Sequence, residues 1–284
     1  MDMKTIGVVG AGTMGGGIAH LAASSGLDVI LYDLNDQLLD AARNRMSKLM
    51  DNRISKGKMS EADKAEVLSR IQFTTDLGRM GAVDFAIEVV IEDMNVKKQI
   101  FKQLDEILRP GVILATNTSS MSITELAQAT GRQSQVAGMH FFNPPQVMKL
   151  VEVVRGYQTS DETVAQIRQL CSVLGKEPVE VKKDSPGFIV NRIMVAQFVE
   201  AIRLVEEGVA SPEDIDKAVT LGLNYPMGPF TLQDFAGVDI GLYVMDYLYN
   251  EYKDSRFAAP MAIRRIVRAG RLGKKTGAGW YDYE

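Results

Sequence analysis

Residues 4–33 read KTIGVVGAGTMGGGIAHLAASSGLDVILYD, and the fold of the first half of the chain turns on them. Ile6-Gly7-Val8-Val9 is an apolar run of the length of a short buried strand. Glycines follow at 10, 12 and 15, in the spacing G-x-G-x-x-G. An alanine-rich helical stretch comes next, then a second strand, VILYD, ending in Asp33. In such a strand–loop–helix the first glycine permits the tight turn and the second lets backbone approach a pyrophosphate. The third lets the helix pack closely on the strand. The helix N-terminus offers N–H groups and the positive end of a dipole to the phosphates. Asp33 stands about 20 residues beyond the glycines, where a carboxylate accepts hydrogen bonds from ribose hydroxyls. It also repels a 2′-phosphate, so the expected cofactor is NAD. The expected cofactor contacts are Gly10, Gly12, Thr13, Met14, Gly15 and Asp33; glycines serving only a tight turn are the alternative. His20, on the same helix, reads as packed or solvated and is given no chemistry.

Outward from this unit, strand and helix patterns alternate. Residues 36–50 and 60–70 are helical by pattern, 83–90 a buried strand, 94–108 a helix and 111–118 a strand. Residues 122–129 are helical, 136–142 and 148–154 are strands, 160–174 is a helix, and a strand lies near 178–182. Such alternation, bounded by Gly and Pro, predicts an α/β, Rossmann-type, doubly wound and mostly parallel sheet. At DSPGFIVNR (184–192) the spacing turns helical, as at Ile189, Ile193, Ala196, Phe198 and Ile202. Ser211-Pro212-Glu213-Asp214 is a strong helix start. The expected organisation is a dinucleotide-binding domain over 1–185 and an all-α domain over 186–284 for substrate and dimerisation.

A chain of 284 residues is larger than most single cores, which agrees with two domains. A formal net charge of −4 argues against a general nucleic-acid or membrane-surface binder. No apolar run reaches membrane-spanning length, and the first residues do not read as a signal peptide. The single cysteine, Cys171, excludes an intrachain disulfide and suggests a reducing, cytoplasmic setting. No metal site is expected. One local exception to the charge balance runs through Arg43, Arg45, Lys48, Arg53, Lys56 and Lys58, against the single acid Asp51. By charge alone a solvated helix pair is favoured there over a landing site for a phosphorylated ligand.

The stretch GMHFFNPPQVMKLVEVV (138–154) carries the candidate chemistry. Pro144-Pro145 cannot donate to a strand ladder, so pairing must break there. If the flanking strands fold back antiparallel about residue 146, His140 falls opposite Glu152 on one face. Opposed Cβ atoms lie about 4.5–5.5 Å apart, within reach of an imidazole–carboxylate hydrogen bond. A carboxylate there fixes the tautomer and stabilises the imidazolium, which suits proton exchange with an alcohol beside a nicotinamide. The plainer alternative is a buried histidine tied to backbone and a glutamate on an exposed face. Asn117 and Ser119 follow a strand at its carboxyl end, where α/β sheets place ligands, although Ser119 or Ser120 also reads as a cap for the 122–129 helix. Glu92 alone passes as a first-turn helix acid, and Asn191 alone is unremarkable.

Taken in order, GAGTMGGGIA, ATNTSS, HFFNP…LVEVV, DSPGFIVNR, YPMGPF and GRLGKKTGAGWYDY resemble the landmarks of the 3-hydroxyacyl-CoA dehydrogenases along essentially the whole chain. The compact length is most similar to that of short bacterial members. The resemblance implies an NAD-dependent oxidoreductase acting on a short-chain (S)-3-hydroxyacyl-CoA such as 3-hydroxybutyryl-CoA. It implies that His140 is the acid/base and Glu152 its partner, while Ser119 and Asn191 contact the reacting part of the substrate. It places Asn117 near the nicotinamide, Glu92 and Lys97 near its ribose, and Asn143 among the cofactor contacts. The basic segment becomes the site for coenzyme A, with Lys48, Arg53 and Lys56 as candidates. A homodimer or larger homo-oligomer is implied, through positions such as Phe230, Leu232, Phe235, Tyr243, Met245 and Tyr247, which otherwise form only a core. The competing readings are a free 3-hydroxyacid dehydrogenase with a lysine-based site, and an NAD-binding sensor without catalysis.

Overall fold

The computed structural model describes residues 3–283, and the chain divides into two compact units between Ser185 and Pro186. The first is built on one eight-stranded sheet: β1 Thr5–Val9, β2 Asp28–Tyr32, β3 Ile71–Thr74, β4 Phe85–Glu88, β5 Ile113–Thr116, β6 Val136–Phe141, β7 Leu150–Arg155 and β8 Glu177–Val181. The strand order is β3-β2-β1-β4-β5-β6-β7-β8. Pairing is parallel from β3 through to β6, antiparallel between β6 and β7, and parallel again between β7 and β8.

Chain length between strands explains the one reversal. Four of the five connections from β1 to β6 carry α-helices, namely α1 Thr13–Ser24, the pair α2 Asp36–Ser55 and α3 Glu61–Ser69, α4 Met94–Ile107 and α5 Ile123–Ala127, while the link from β3 to β4 carries a short 3-10 segment, Leu77–Ala82. Residues 142–149 are too few to carry a helix back to the start of the sheet, so β7 returns antiparallel. A longer link holding α6 Asp161–Val173 then brings β8 in parallel to β7. Helices on both faces bury the central strands β4, β5 and β6 completely, and Val8, Leu31, Phe85, Ile87 and Leu114 are closed to solvent. Each such side chain contributes about 1.5–3 kcal/mol of burial free energy. The order reverses between β1 and β4, and the crevice at such a switch point is where open α/β sheets hold ligands.

Three local features differ from the pattern reading. β3 (IQFT) is an extra edge strand, and its one buried residue, Ile71, gives no apolar run to detect. Helix α2 continues through the charged residues 51–55, because nothing breaks it before Gly57 in a left-handed turn (φ 65°). The cap of α5 is Ser122, whose hydroxyl accepts from Glu125 N–H, rather than Ser119 or Ser120.

The second unit is helical: α7 Val190–Glu206, α8 Pro212–Leu223, α9 Pro229–Ala236, α10 Val238–Tyr252 and α11 Met261–Arg268. Ser211 caps α8 by accepting from Asp214 N–H, with Pro212 at the first helical position. Phe198, Ile202, Phe230, Met245, Leu248 and Phe257 form its core, whereas Phe235 and Tyr243 stay exposed. Two buried carboxylates hold the C-terminal segment: Asp216 accepts from Tyr281 OH, and Asp234 from Trp280 N–H and Tyr283 OH. Burial and these bonds raise both phenols above the ordinary tyrosine range. Among the described residues no helix is long and apolar enough to cross a membrane.

Candidate active site

The loop after β1 has the shape a pyrophosphate needs. Gly10 has φ 110°, and a Cβ on Gly15 would lie 1.8 Å from the Gly10 carbonyl oxygen, so no side chain fits there. No side chain caps α1 at Gly12 and no acid sits in its first turn, which leaves the helix dipole open to an anion. Asp33 is pinned at the end of β2, one carboxylate oxygen accepting from Ala11 N–H at 2.6 Å and the other from Leu34 N–H at 2.7 Å. Each oxygen keeps a lone pair for a ribose hydroxyl. Closed glycine packing, an open helix end and a fixed carboxylate suit a dinucleotide.

On the β6–β7 hairpin, His140 stands opposite Glu152 in the antiparallel register. Their side chains meet with Nδ1 2.7 Å from Oε2, and both are buried, at 5% and 1% exposure. An ionised carboxylate only accepts, so opposite one Nδ1 carries the hydrogen of this bond. The ring also lies against Phe142, with centroids 4.5 Å apart. Two contacts tie this hairpin to the dinucleotide elements. Asn117, just past β5, accepts from Phe141 N–H through Oδ1 at 2.9 Å. Pro145 in the turn presses on α1 so closely that a Cβ on Gly17 would lie 2.5 Å from the proline ring. Asn143 is exposed at the head of the same turn.

The loop after β4 meets the loop after β5. Glu92 lies before α4, whose cap is Asp93, so it is not the first-turn helix acid its position suggests. Its Oε1 accepts from Ser119 N–H at 2.7 Å, from Ser119 OH at 3.2 Å and from Thr118 OH at 3.0 Å. Its Oε2 stands 3.2 Å from the buried Lys97 ammonium. Lys97 also pairs with Glu88 at 2.9 Å, a residue to which sequence reasoning gave no role.

Lys48, Arg53 and Lys56 are exposed on α2 and at its end. Arg53 borders a hollow with Ala23, Ser24, Lys58 and Arg70. Arg45 was passed over in favour of its neighbours, yet it donates to the Ala11 carbonyl at 2.7 Å and lines a hollow with Gly17 and Pro145. Asn191 lies in the first turn of α7, in the second unit, after the left-handed pair Gly187 (φ 75°) and Phe188 (φ 48°). Two other titratable groups are sealed in the core. Burial, helped by Arg53, lowers the pKa of His20, whose Nδ1 has no hydrogen-bond partner among the described residues. Burial pushes the Cys171 thiol up to about 12.

Comparison with known proteins agrees with this architecture. The family model for the NAD binding domain of 3-hydroxyacyl-CoA dehydrogenase matches residues 5–185, and that for the C-terminal domain matches residues 187–283. The chain is 47% identical over 277 residues to a protein named probable 3-hydroxybutyryl-CoA dehydrogenase from Deinococcus radiodurans, covering 98% of this chain and 99% of that one. It is 45% identical over 278 residues to the 3-hydroxybutyryl-CoA dehydrogenase of Clostridioides difficile, covering 98% and 99%. The crystal structure of (S)-3-hydroxybutyryl-CoA dehydrogenase from Ralstonia eutropha superposes with a TM-score of 0.96 at 46% identity, over 100% of both chains. Family models cover both units nearly end to end, and full-length relatives share close to half their residues, so the chain belongs to the 3-hydroxyacyl-CoA dehydrogenase family.

Proposed function

We propose that the chain interconverts (S)-3-hydroxybutyryl-CoA and acetoacetyl-CoA with NAD, through the His140–Glu152 pair. The observation that carries this reading is the buried 2.7 Å contact between those two side chains, on the hairpin whose turn packs against α1. NAD supplies or accepts the hydride at C3 of the substrate. In the reducing direction the His140 imidazolium donates from Nε2 to the ketone oxygen; in the oxidising direction the neutral ring takes the hydroxyl proton. Glu152 stabilises the imidazolium and keeps Nδ1 protonated, so Nε2 has the right tautomer for either step. Ser119 and Asn191 orient the reacting oxygen. Gly10, Gly12, Thr13, Met14, Gly15, Asp33, Glu92, Lys97, Asn117 and Asn143 hold the dinucleotide. Asp33 selects NAD by repelling the 2′-phosphate of NADP.

Lys48, Arg53 and Lys56 bind the phosphates of coenzyme A, for which exposed cations on a helix are suited. The same reading makes the protein a cytoplasmic homodimer or larger homo-oligomer. Exposed apolar side chains of the second unit, among them Leu221, Phe235 and Tyr243, support the oligomer. The deciding assay follows NADH loss with acetoacetyl-CoA for wild type and His140→Ala. The reading requires turnover by the wild type and a loss of about 10²–10⁴-fold in the variant. Undiminished turnover in His140→Ala rejects the histidine chemistry and favours a lysine-based site. A wild type silent towards every acyl-CoA leaves only NAD binding.

A further inference from the structure

Glu88 ends β4 with 0% exposure, yet the chemistry above makes no use of it. Donors surround its carboxylate. Oε1 accepts from Val90 N–H at 2.6 Å and from Lys97 Nζ at 2.9 Å, and Oε2 accepts from the Thr116 hydroxyl at 2.7 Å. Thr116 stands there because β4 and β5 pair in parallel with Glu88 opposite it. Lys97 reaches in from α4 and places its ammonium among three acceptors: Glu88, Glu92 Oε2 at 3.2 Å and the Val90 carbonyl at 3.4 Å. An ammonium has three N–H groups, so this set fills it.

The two carboxylates on Lys97 differ in depth. Glu88 is wholly buried, while the Glu92 side chain is 35% exposed. The deep one fixes the ammonium in the wall of the site, and the ammonium then orients the shallow one. Glu92 in turn gathers Thr118 OH and both donors of Ser119 on its other oxygen. A single carboxylate would have neutralised the buried lysine. The second carboxylate instead carries the constraint outward, from the sheet to the loop bearing Ser119.

We infer that Glu88 is a positioning residue, which fixes Lys97 and through it the Glu92 carboxylate and the Ser119 loop. This rests on the reading that Glu92 and Lys97 face the cofactor ribose and Ser119 the substrate.

The test uses three variants of the whole chain, Glu88→Gln, Lys97→Met and the double variant. NADH affinity is read by fluorescence titration, KM and kcat with acetoacetyl-CoA, and folding by thermal melting. Glu88→Gln is expected to weaken NADH binding about tenfold, the scale of one charge-assisted hydrogen bond. Lys97→Met does the same, and the double variant binds NADH no more weakly than Lys97→Met, since both changes cut one chain of contacts. The double variant also melts above Lys97→Met, which strands a buried carboxylate. Melting alone reports the ion pair; non-additive NADH affinity reports the positioning. Three results overturn the inference: wild-type NADH affinity in Glu88→Gln, unchanged affinity in Lys97→Met, or single effects that multiply in the double variant. If Glu88→Gln does not fold, the double variant against Lys97→Met carries the comparison, equal affinities supporting the inference and a tenfold gap overturning it. Wild-type turnover of acetoacetyl-CoA tests the underlying reading separately, so the two can fail apart.

Discussion

Glu152 and Glu88 lie on the same sheet, nearly sealed from solvent, and each holds a nitrogen of a basic side chain, at 2.7 Å for His140 and 2.9 Å for Lys97. They differ in what they hold. An imidazole changes charge between about pH 5 and 8, whereas an ammonium does not. On the function proposed above, the same device serves proton exchange on the β6–β7 hairpin and positioning beside β4. The routes to each pair differ as well. His140 and Glu152 meet by antiparallel register, while Lys97 returns to Glu88 over a turn and a helix.

The sharpest way to break this comparison is to neutralise each carboxylate in turn. On the proposed reading, Glu152→Gln is expected to lower kcat by about 10²–10⁴, because it removes the charge that stabilises the imidazolium and brings an amide N–H₂ that can donate to Nδ1 and select the wrong tautomer. NADH affinity should stay at the wild-type value, and steady-state kinetics with a fluorescence titration measures both. If Glu152→Gln instead weakened NADH binding and spared kcat, the proton-moving pair would be misassigned. Lys97→Met comes next in size. It leaves Glu88 with a buried, uncompensated charge, at a cost of about 3–5 kcal/mol in urea unfolding, and Glu88→Gln beside it should recover most of that.

The two routes also explain what the sequence disclosed. Antiparallel pairing about a turn is arithmetic: residues 140 and 152 are equidistant from 146, and the double proline just before it breaks the ladder. The glycine loop is equally legible from its spacing, and at Gly10 and Gly15 a Cβ would run into backbone. Glu88 lies inside a stretch, 83–90, that reads only as a buried strand, and nothing in its neighbours names a lysine nine residues on as its partner. That pairing depends on where α4 starts and on Thr116 arriving in register from β5. The edge strand β3 leaves no pattern for a related reason, since only Ile71 of its residues is buried. The cap at Ser122 is hidden by the two serines that precede it.

His20 sharpens the comparison from the other side, as a buried ring without a carboxylate. Burial, then Arg53, lowers its pKa, so the folded state holds it neutral. As pH falls through the ordinary histidine value of about 6.5, the unfolded chain takes up a proton that the folded chain refuses, and stability is lost. His20→Leu removes both that acid-side loss and a buried nitrogen without a hydrogen-bond partner. The expected gain is about 1–2 kcal/mol, growing below pH 6.5. Melting curves across a pH series check it, and a variant that keeps the wild-type acid slope would assign the slope to another group.

Cys171 gives the smallest expected effect. Its thiol is fully closed off on α6, and burial pushes it up to about 12 despite the opposing pull of Arg168 and Lys176. A thiol held that high carries almost no thiolate at neutral pH, and the thiolate is the reactive form. Iodoacetamide should leave the native protein unlabelled and label it stoichiometrically in denaturant, as mass spectrometry reads directly. Cys171→Ala should keep kcat and KM within about twofold while costing about 1 kcal/mol of packing. Fast labelling of the native protein would mean that the helix carrying Cys171 opens to solvent. Burial outweighs both Arg168 and Lys176 at this sulfur. A direct hydrogen bond to an opposite charge, such as His140 has with Glu152, is what Cys171 lacks.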